Sequence, residues 1–154
     1  MQRFFVIVIL TVAIVGVMLY FAPKPHEQAI TSIAPHNAQI NVYCRGGSVC
    51  GVDLGFGSMV RCSVADLSAT YSRCGTVDGI SATFEGDLTA VERILSHLRV
   101  RSVTVCNFGD LTVISGYSGG VRGGVILDGK RVNCQIAYRD GVISVGFPLI
   151  LGDY

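Results

Sequence analysis

The chain lacks an excess of charge of either sign, and its charged residues are interspersed. Twelve Lys and Arg residues stand against eleven Asp and Glu residues, which leaves a formal net charge of +1. A protein that binds nucleic acid regardless of base sequence must neutralise several phosphates with clustered basic side chains. Because no basic stripe is present, the sequence argues against nucleic acid as a partner.

The sequence also lacks the patterns of a metal site or of an enzyme. It has three histidines, and its cysteines do not repeat a Cys-x-x-Cys spacing, so a zinc site is not expected. No nucleophile is paired with a base, and no two carboxylates form a recognisable pair. No helix is predicted after the glycine-rich stretch 116–124 to complete a phosphate cradle, so this stretch is interpreted as a flexible or bulged connection. We therefore expect no catalytic residues, no metal and no cofactor.

Charge is absent from the long apolar run Phe4–Ala22. A helix of this length spans about 28 Å, close to the hydrocarbon thickness of a bilayer. A cleaved signal peptide is the alternative, but its apolar core is normally shorter and small residues precede the cut. Since Tyr20 and Pro23 are unfavourable there, we expect an uncleaved signal anchor over 4–22. Arg3 mildly favours a cytoplasmic location for residues 1–3 and an extracytoplasmic location for the rest.

The chain after this segment divides into two predicted parts. Residues 23–37 contain three prolines and no sustained hydrophobic period, which predicts an extended tether. Residues 38–154 have the composition of an ordinary soluble domain. The sequence thus predicts a single-pass protein of the cell membrane, attached through residues 4–22, with an extracytoplasmic domain over 38–154.

All six cysteines follow the predicted membrane segment, at Cys44, Cys50, Cys62, Cys74, Cys106 and Cys134. An even set outside a membrane indicates disulfides, for which 15 connectivities are possible. Cys44 and Cys50 flank a short loop with two glycines and are the favoured pair. The alternative is that several of these residues are small buried hydrophobic groups that stay reduced.

Alternating apolar residues and glycine-bearing turns predict a β-rich domain with one clear helix. The helix follows Asp87 as its N-cap and carries an apolar stripe from Leu88 to Leu98, and His97 lies off this stripe as a solvated residue. Asp128-Gly129 and Asp140-Gly141 predict hairpin turns. The predicted strand-like runs are Gln39–Cys44, Val49–Leu54, Ser58–Val64, Leu67–Arg73, Ile80–Glu85, Ser102–Cys106, Leu111–Tyr117, Val125–Leu127, Arg131–Arg139 and Val142–Phe147.

This order of elements predicts an α+β fold in which the helix covers one face of an antiparallel sheet. A register shift of one residue exchanges the two faces of a strand. The residues expected to meet the helix, unless that shift gives the opposite set, are Val103, Val105, Val113, Val132, Cys134, Ile136, Ile143 and Val145.

The carboxyl-terminal residues resemble a known family. Val132–Arg139 followed by Ile143–Tyr154 is similar to the end of the YwmB-like family of bacterial proteins, typical of Firmicutes, whose pattern runs Asn-x-x-x-Ala-x-Arg and then Gly-x-Pro-x-Ile with a closing acidic-Tyr pair. Residues 79–98 and 111–118 fit the same family. The resemblance implies a fold like that of the TATA-box-binding protein, with two α+β halves sharing one curved sheet, in extracytoplasmic proteins of uncharacterised function. Because residues 38–73 offer only short strand-like runs, we expect the first half to be shortened.

Candidate partner-binding residues are polar or aromatic side chains near strand, loop or chain ends: Tyr117, Asn133, Gln135, Arg139, Pro148 and Tyr154. The simpler alternative is that Asn133 and Gln135 only face solvent on the bare side of the sheet. We expect a non-catalytic domain that binds an envelope component or a protein partner. The alternative function is thiol- or disulfide-dependent redox chemistry or sensing, which requires an accessible cysteine of low pKa.

Overall fold

The computed structural model describes residues 25–47, 51–55 and 57–151. The predicted membrane segment 4–22, Cys50 and Tyr154 lie outside these ranges. None of the three helices in the described ranges is long and apolar enough to cross a bilayer. The helices are α1 (Pro25–Ile33), α2 (Leu67–Arg73) and α3 (Leu88–His97). The strands are β1 (Gln39–Gly47), β2 (Val52–Asp53), β3 (Ser58–Ser63), β4 (Cys74–Glu85), β5 (Arg101–Phe108), β6 (Leu111–Tyr117), β7 (Val125–Leu127), β8 (Lys130–Val132), β9 (Cys134–Arg139) and β10 (Val142–Phe147).

Eight of these strands form one sheet in the order β2-β3-β1-β4-β10-β9-β6-β5, and β7 pairs with β8 separately. All of the described strand pairs are antiparallel. The chain passes from β4 through α3 to β5 at the far edge and then returns through β6 and β9 to β10, which lies beside β4. The predicted α+β class with an antiparallel sheet is therefore confirmed.

The core lies between the three helices and one face of the sheet. Period-2 alternation along the central strands places their apolar side chains on that face, where the helices contribute Ile30, Tyr71 and Ile94. The sheet residues buried in this core include Ile40, Val42, Ile80, Ala82, Phe84, Cys134, Ile136, Ile143, Val145 and Phe147. We call this the helix-covered face and the opposite side the outer face.

Local sequence signals set the ends of several elements. The Asp87 carboxylate accepts a hydrogen bond from the Ala90 amide at 2.8 Å, which confirms the predicted N-cap of α3. Asp128 and Asp140 have φ near +49°, as hairpin turns of the predicted kind require. These turns connect β7 to β8 and β9 to β10.

Residues 25–33 differ from their predicted conformation. The sequence predicts an extended tether over 23–37, whereas the structure has helix α1 from Pro25. Proline is tolerated in the first turn, where its missing N–H has no partner within the helix. Ala29 and Ile30 are buried in the core, so packing on the sheet stabilises a helix whose apolar residues are few.

Residues 67–73 also differ from their predicted conformation. They were predicted as a strand-like run but form helix α2, in which Leu67 and Tyr71 are buried one turn apart. The (i, i+4) spacing of these two residues is typical of an amphipathic helix. The prediction of one clear helix is therefore wrong, because the described part of the chain contains three.

The prediction of which sheet residues lie on the helix-covered face is only partly correct. Cys134, Ile136, Ile143 and Val145 meet the helices as expected. Val113 instead packs on the outer face with Leu111, Ala137 and Ile150. Val103 and Val105 are exposed because β5 is the last strand of the sheet and lies beyond the helices.

The carboxyl-terminal segment after β10 folds back over the outer face. The Ile150 amide donates to Gln135 Oε1 at 3.1 Å, and the Ile150 side chain is buried. A Cβ on Gly146 would lie 2.5 Å from the backbone of Leu149 and Ile150, so glycine is required for this close approach. Residues 148–151 thus cover the centre of the face that the helices leave bare.

Candidate functional site

A cavity of about 630 Å³ opens between α1, the end of α3 and the loop after β6. We call it the basic cleft. Its position follows from the topology. Helix α3 connects β4 to β5 at the edge of the sheet, and β6 pairs with β5, so the end of α3 lies near the end of β6. Its lining residues are Gln28, Ala29, Ser32, His97, Leu98, Arg99, Arg101, Tyr117, Ser118, Gly119, Gly120 and Val121.

Arg99 is held at the rim of the basic cleft by the way α3 ends. Its φ is +50°, and its amide donates to the Ser96 carbonyl while the Val100 amide donates to Leu95. This left-handed position after a helix is usually occupied by glycine. An arginine there costs roughly 1 kcal/mol of backbone strain, and its side chain lines the cleft.

Arg101 enters the basic cleft from the first position of β5. A Cβ on the neighbouring Gly116 would clash with the side chain of Val100 and lie 3.0 Å from the Arg101 carbonyl. Glycine therefore allows the start of β5 to approach β6 closely. Arg99 and Arg101 thus line the same cavity.

The basic cleft has uncompensated positive charge. Its lining contains two arginines and His97 but no Asp or Glu. Within residues 25–47, 51–55 and 57–151, the ion pairs are Arg45–Asp78 and Arg139–Asp110, and neither involves a cleft residue. Arg99 and Arg101 are exposed, so their guanidinium groups are available to an anion.

Asn133 fixes the loop 118–121, which also lines the basic cleft. Its Oδ1 accepts from the Ser118 amide at 2.7 Å, and its Nδ2 donates to the carbonyls of Ser118 at 2.8 Å and Val121 at 2.6 Å. Asn133 is fully buried. This side chain, one of the predicted partner-binding residues, therefore lies inside the fold, and it orders residues 118–121.

Ser118 joins the same loop to α3. Its hydroxyl donates to the Leu98 carbonyl at 2.6 Å and is buried, which satisfies a carbonyl that the helix end leaves without an internal partner. Val121 is also buried. The loop that was predicted to be flexible or bulged is therefore tied down at both ends by side-chain hydrogen bonds and by packing.

Tyr117, another predicted partner-binding residue, lines the basic cleft. The Arg131 guanidinium carbon lies 5.5 Å from the centroid of the Tyr117 ring, within the range of a cation–π interaction. Arg131 also donates twice to the Gly123 carbonyl. A third arginine, Arg131, thus lies against the Tyr117 ring.

The other predicted partner-binding residues lie away from the basic cleft. Gln135 donates to Ser115 Oγ at 3.3 Å and accepts from Ile150, so it fastens the carboxyl-terminal segment. Arg139 forms an ion pair with Asp110 at 3.4 Å. Pro148 is half-buried at the start of the segment on the outer face. The structure therefore brings Tyr117 and Asn133 together and separates them from the remaining described residues of the predicted set.

A second cavity of about 760 Å³ lies on the other side of the α1–α3 gap. Ser32 and His97 line both cavities, so the two are neighbours along one gap between the helices. The second cavity is lined by apolar Ile33, Phe84 and Ile94 together with charged residues of both signs. The positive character is thus confined to the end that Arg99 and Arg101 line.

No disulfide joins any two of the five described cysteines, which are Cys44, Cys62, Cys74, Cys106 and Cys134. Burial raises the pKa of the Cys134 thiol to about 12, and desolvation also raises the pKa of Cys62. Cys106 is exposed on β5. The favoured Cys44–Cys50 pairing stays a prediction, because Cys50 lies outside the described ranges.

No group of three His, Cys, Asp or Glu side chains within the described ranges is arranged to hold a metal ion. The chain matches no known protein family, no curated protein and no solved structure.

The sequence alone does not predict the basic cleft. Arg99 and Arg101 are two isolated basic residues after a helix, and the charge count gives no sign that acidic residues are absent around them. The signal that was available is the non-glycine residue directly after the predicted end of α3, a position that normally favours glycine. The role of Asn133 had no comparable signal, because its partners lie 12 and 15 residues earlier in the chain.

Proposed function

We propose that this protein is a membrane-anchored, extracytoplasmic and non-catalytic domain that binds an anionic group of an envelope component in the basic cleft. The observation that supports this most directly is the presence in its lining of Arg99 and Arg101, which have no acidic partner among the described residues. Arginine presents a planar set of donors that matches carboxylate and phosphate groups. The proposed ligand therefore carries one of these groups.

The ordered loop that lines the basic cleft supports its interpretation as a binding site. The buried hydrogen bonds of Asn133 and Ser118 hold the loop 118–121 in one position. A binding site that is already ordered loses less conformational entropy when its ligand arrives. The strain at Arg99 supports the same interpretation, since strained residues tend to occur at functional sites.

The proposed location follows from the short connection between the predicted anchor and α1. Two residues separate Ala22 from Pro25, the first residue of α1. Nine residues of helix extend about 14 Å, and Gln28 and Ser32 on α1 line the cleft. An anchor over residues 4–22 thus holds the basic cleft near the outer membrane–water boundary, where anionic envelope components are accessible.

We also propose the finer fold assignment, a TATA-box-binding-protein-like arrangement with a shortened first half, and membership of the YwmB-like family. The run β4-α3-β5-β6-β9-β10 supports the assignment of one α+β half, with β4 and β10 adjacent. The elements α1, β1, β2, β3 and α2 supply the smaller part of the same sheet. The family proposal rests on Val132–Arg139 and Ile143–Tyr154.

Binding of two model anions to the full chain in detergent tests the proposal. Inorganic polyphosphate supplies phosphate groups and poly-L-glutamate supplies carboxylates, and titration calorimetry measures their affinity. We expect one or both to bind, and the double variant R99Q/R101Q to bind at least about tenfold more weakly, which corresponds to about 1.4 kcal/mol.

The matched control is R73Q/R61Q, which removes two exposed arginines outside the cleft and changes the net charge equally. We expect this control to change the affinity by less than about twofold at physiological salt, where distant surface charges are screened. Equal losses of affinity in the two double variants would show that binding depends on overall charge rather than on the cleft. If the unaltered chain bound neither polymer, the proposal would be wrong.

The alternative, a thiol-dependent redox or sensing role, depends on Cys106. A reactive cysteine must be accessible and form the thiolate readily, whereas the raised pKa values of Cys62 and Cys134 disfavour their thiolates. Alkylation of the native full chain, followed by mass spectrometry, measures the reactivity of each thiol. Modification of Cys106 no faster than that of a free cysteine at neutral pH would argue against this alternative.

A further inference from the structure

Strand β5 forms an open edge of the eight-stranded sheet. It pairs with β6 on one side, and in the described ranges no strand pairs with its other side. Its outward N–H and C=O groups are therefore available to another strand. Every residue of β5 is exposed, and three large apolar side chains stand among them: Val103, Val105 and Phe108, at 43%, 54% and 63%.

The features that normally prevent edge pairing are weak on β5. The strand has eight residues, contains no proline and has no charge of its own after Arg101, although Lys130 of β8 donates to Thr104 Oγ1 at 3.4 Å. The opposite edge, β2, has two residues, of which one is Asp53. Short length and charge are common protections of a sheet edge. Since only β2 has them, β5 is the edge suited to accept a strand.

The charges at the two ends of β5 indicate which strand it accepts. Arg101 begins the strand, and Asp110 follows it in the turn to β6. We propose that β5 of a second copy of this chain pairs antiparallel with β5 to form a two-fold dimer. Antiparallel pairing places the Arg101 end of each strand beside the Asp110 end of the other, where Asp110 also pairs with Arg139, whereas parallel pairing would bring the two Arg101 residues together.

The faces of the strand restrict the register. Val105 pairs with Ile114 on the helix-covered side, and Cys106 pairs with Val113 on the outer side. A two-fold axis perpendicular to the sheet keeps each face continuous, so a residue pairs with one from the same face. Centring the axis on Val105 sets Arg101 opposite Gly109 of the second copy, next to its Asp110. The two Cys106 residues then lie diagonally, about 8 Å apart.

The oligomeric state of the full chain in detergent tests the dimer. Val105→Lys places two lysines directly opposite each other, and like charges in that position destabilise a strand pair. We expect the dimer dissociation constant from analytical ultracentrifugation to increase at least about tenfold. Val52→Lys is the matched control, because Val52 is similarly exposed, at 59% against 54% for Val105, but lies on the other edge. We expect no change in that variant.

Crosslinking tests the register independently. A bis-maleimide with a short spacer is expected to join two copies through Cys106, as identified by peptide mapping, and C106S is expected to abolish the product. A monomeric wild-type chain, or a dimer unaffected by V105K, would overturn the proposal. So would a dimer whose Cys106 reacts with a monofunctional maleimide but forms no crosslink. Thermal unfolding followed by circular dichroism verifies that each variant is folded.

Discussion

Replacing Asn133 with alanine is the most direct perturbation of the basic cleft, because one side chain orders the loop 118–121 that lines it. The variant removes three hydrogen bonds from a fully buried site. At about 1 kcal/mol each, with a further penalty for leaving a buried amide without a partner, the free energy of unfolding is expected to fall by about 4 kcal/mol. That is a large part of the stability of a typical domain.

Urea unfolding of the full chain, followed by circular dichroism, measures this loss, and the polyphosphate titration measures its effect on the cleft. Asn107→Ala is the control, since Asn107 is exposed and accepts one hydrogen bond, from Thr112. We expect that variant to lose less than about 1 kcal/mol. A loss below about 1 kcal/mol for N133A as well would refute the reasoning that this network holds the loop.

Three further predictions concern separate parts of the fold. Arg99→Gly is expected to raise the free energy of unfolding by about 0.5 kcal/mol, because glycine tolerates φ of +50°. The same variant is expected to bind polyphosphate about tenfold more weakly. Denaturant unfolding measures the first effect and calorimetry the second. Gly146→Ala is expected to cost about 2 kcal/mol, because its Cβ would lie 2.5 Å from Leu149 and Ile150, as measured by thermal unfolding. The raised pKa of Cys134 means that the unfolded chain loses this proton first as pH rises, so stability is expected to decrease between about pH 9 and pH 12. Cys134→Ala should flatten that dependence in urea unfolding measured across the pH range.

Specific results for the variants R99G, G146A and C134A would contradict these expectations. An R99G variant with reduced stability would mean that the arginine makes contacts worth more than the strain. A G146A variant of unchanged stability would show that residues 148–151 move away at little cost. Equal slopes of stability against pH for C134A and the unaltered chain would assign the alkaline loss to other groups.

The alternation of apolar residues was sufficient to predict most of the sheet. The runs Ile80–Glu85 and Val142–Phe147 lie where they were expected, because both strands have one face in the core and one face away from it. The Asp-Gly turns and the Asp87 cap are local signals that need no tertiary context, and they were predicted correctly.

Tertiary contacts decided the elements that the sequence did not predict. The helix over 25–33 depends on burial of Ala29 and Ile30 against a sheet whose position is not encoded locally. The faces of β5 and β6 depend on the bulge between Arg101 and Thr104 and on the limited extent of the helices. The basic cleft combines side chains from α1, α3, β5 and a loop, so no single segment of sequence contains it.

The unequal edges of the sheet limit how far strand addition can continue. When two copies join through β5, both long edges are consumed, and the assembly presents a two-residue β2 with its aspartate at each outer end. An interface that uses the same surface on both partners closes after one event, whereas two complementary edges would propagate into a filament. This asymmetry therefore limits association through β5 to two copies and disfavours growth of a cross-β fibre through the same sheet.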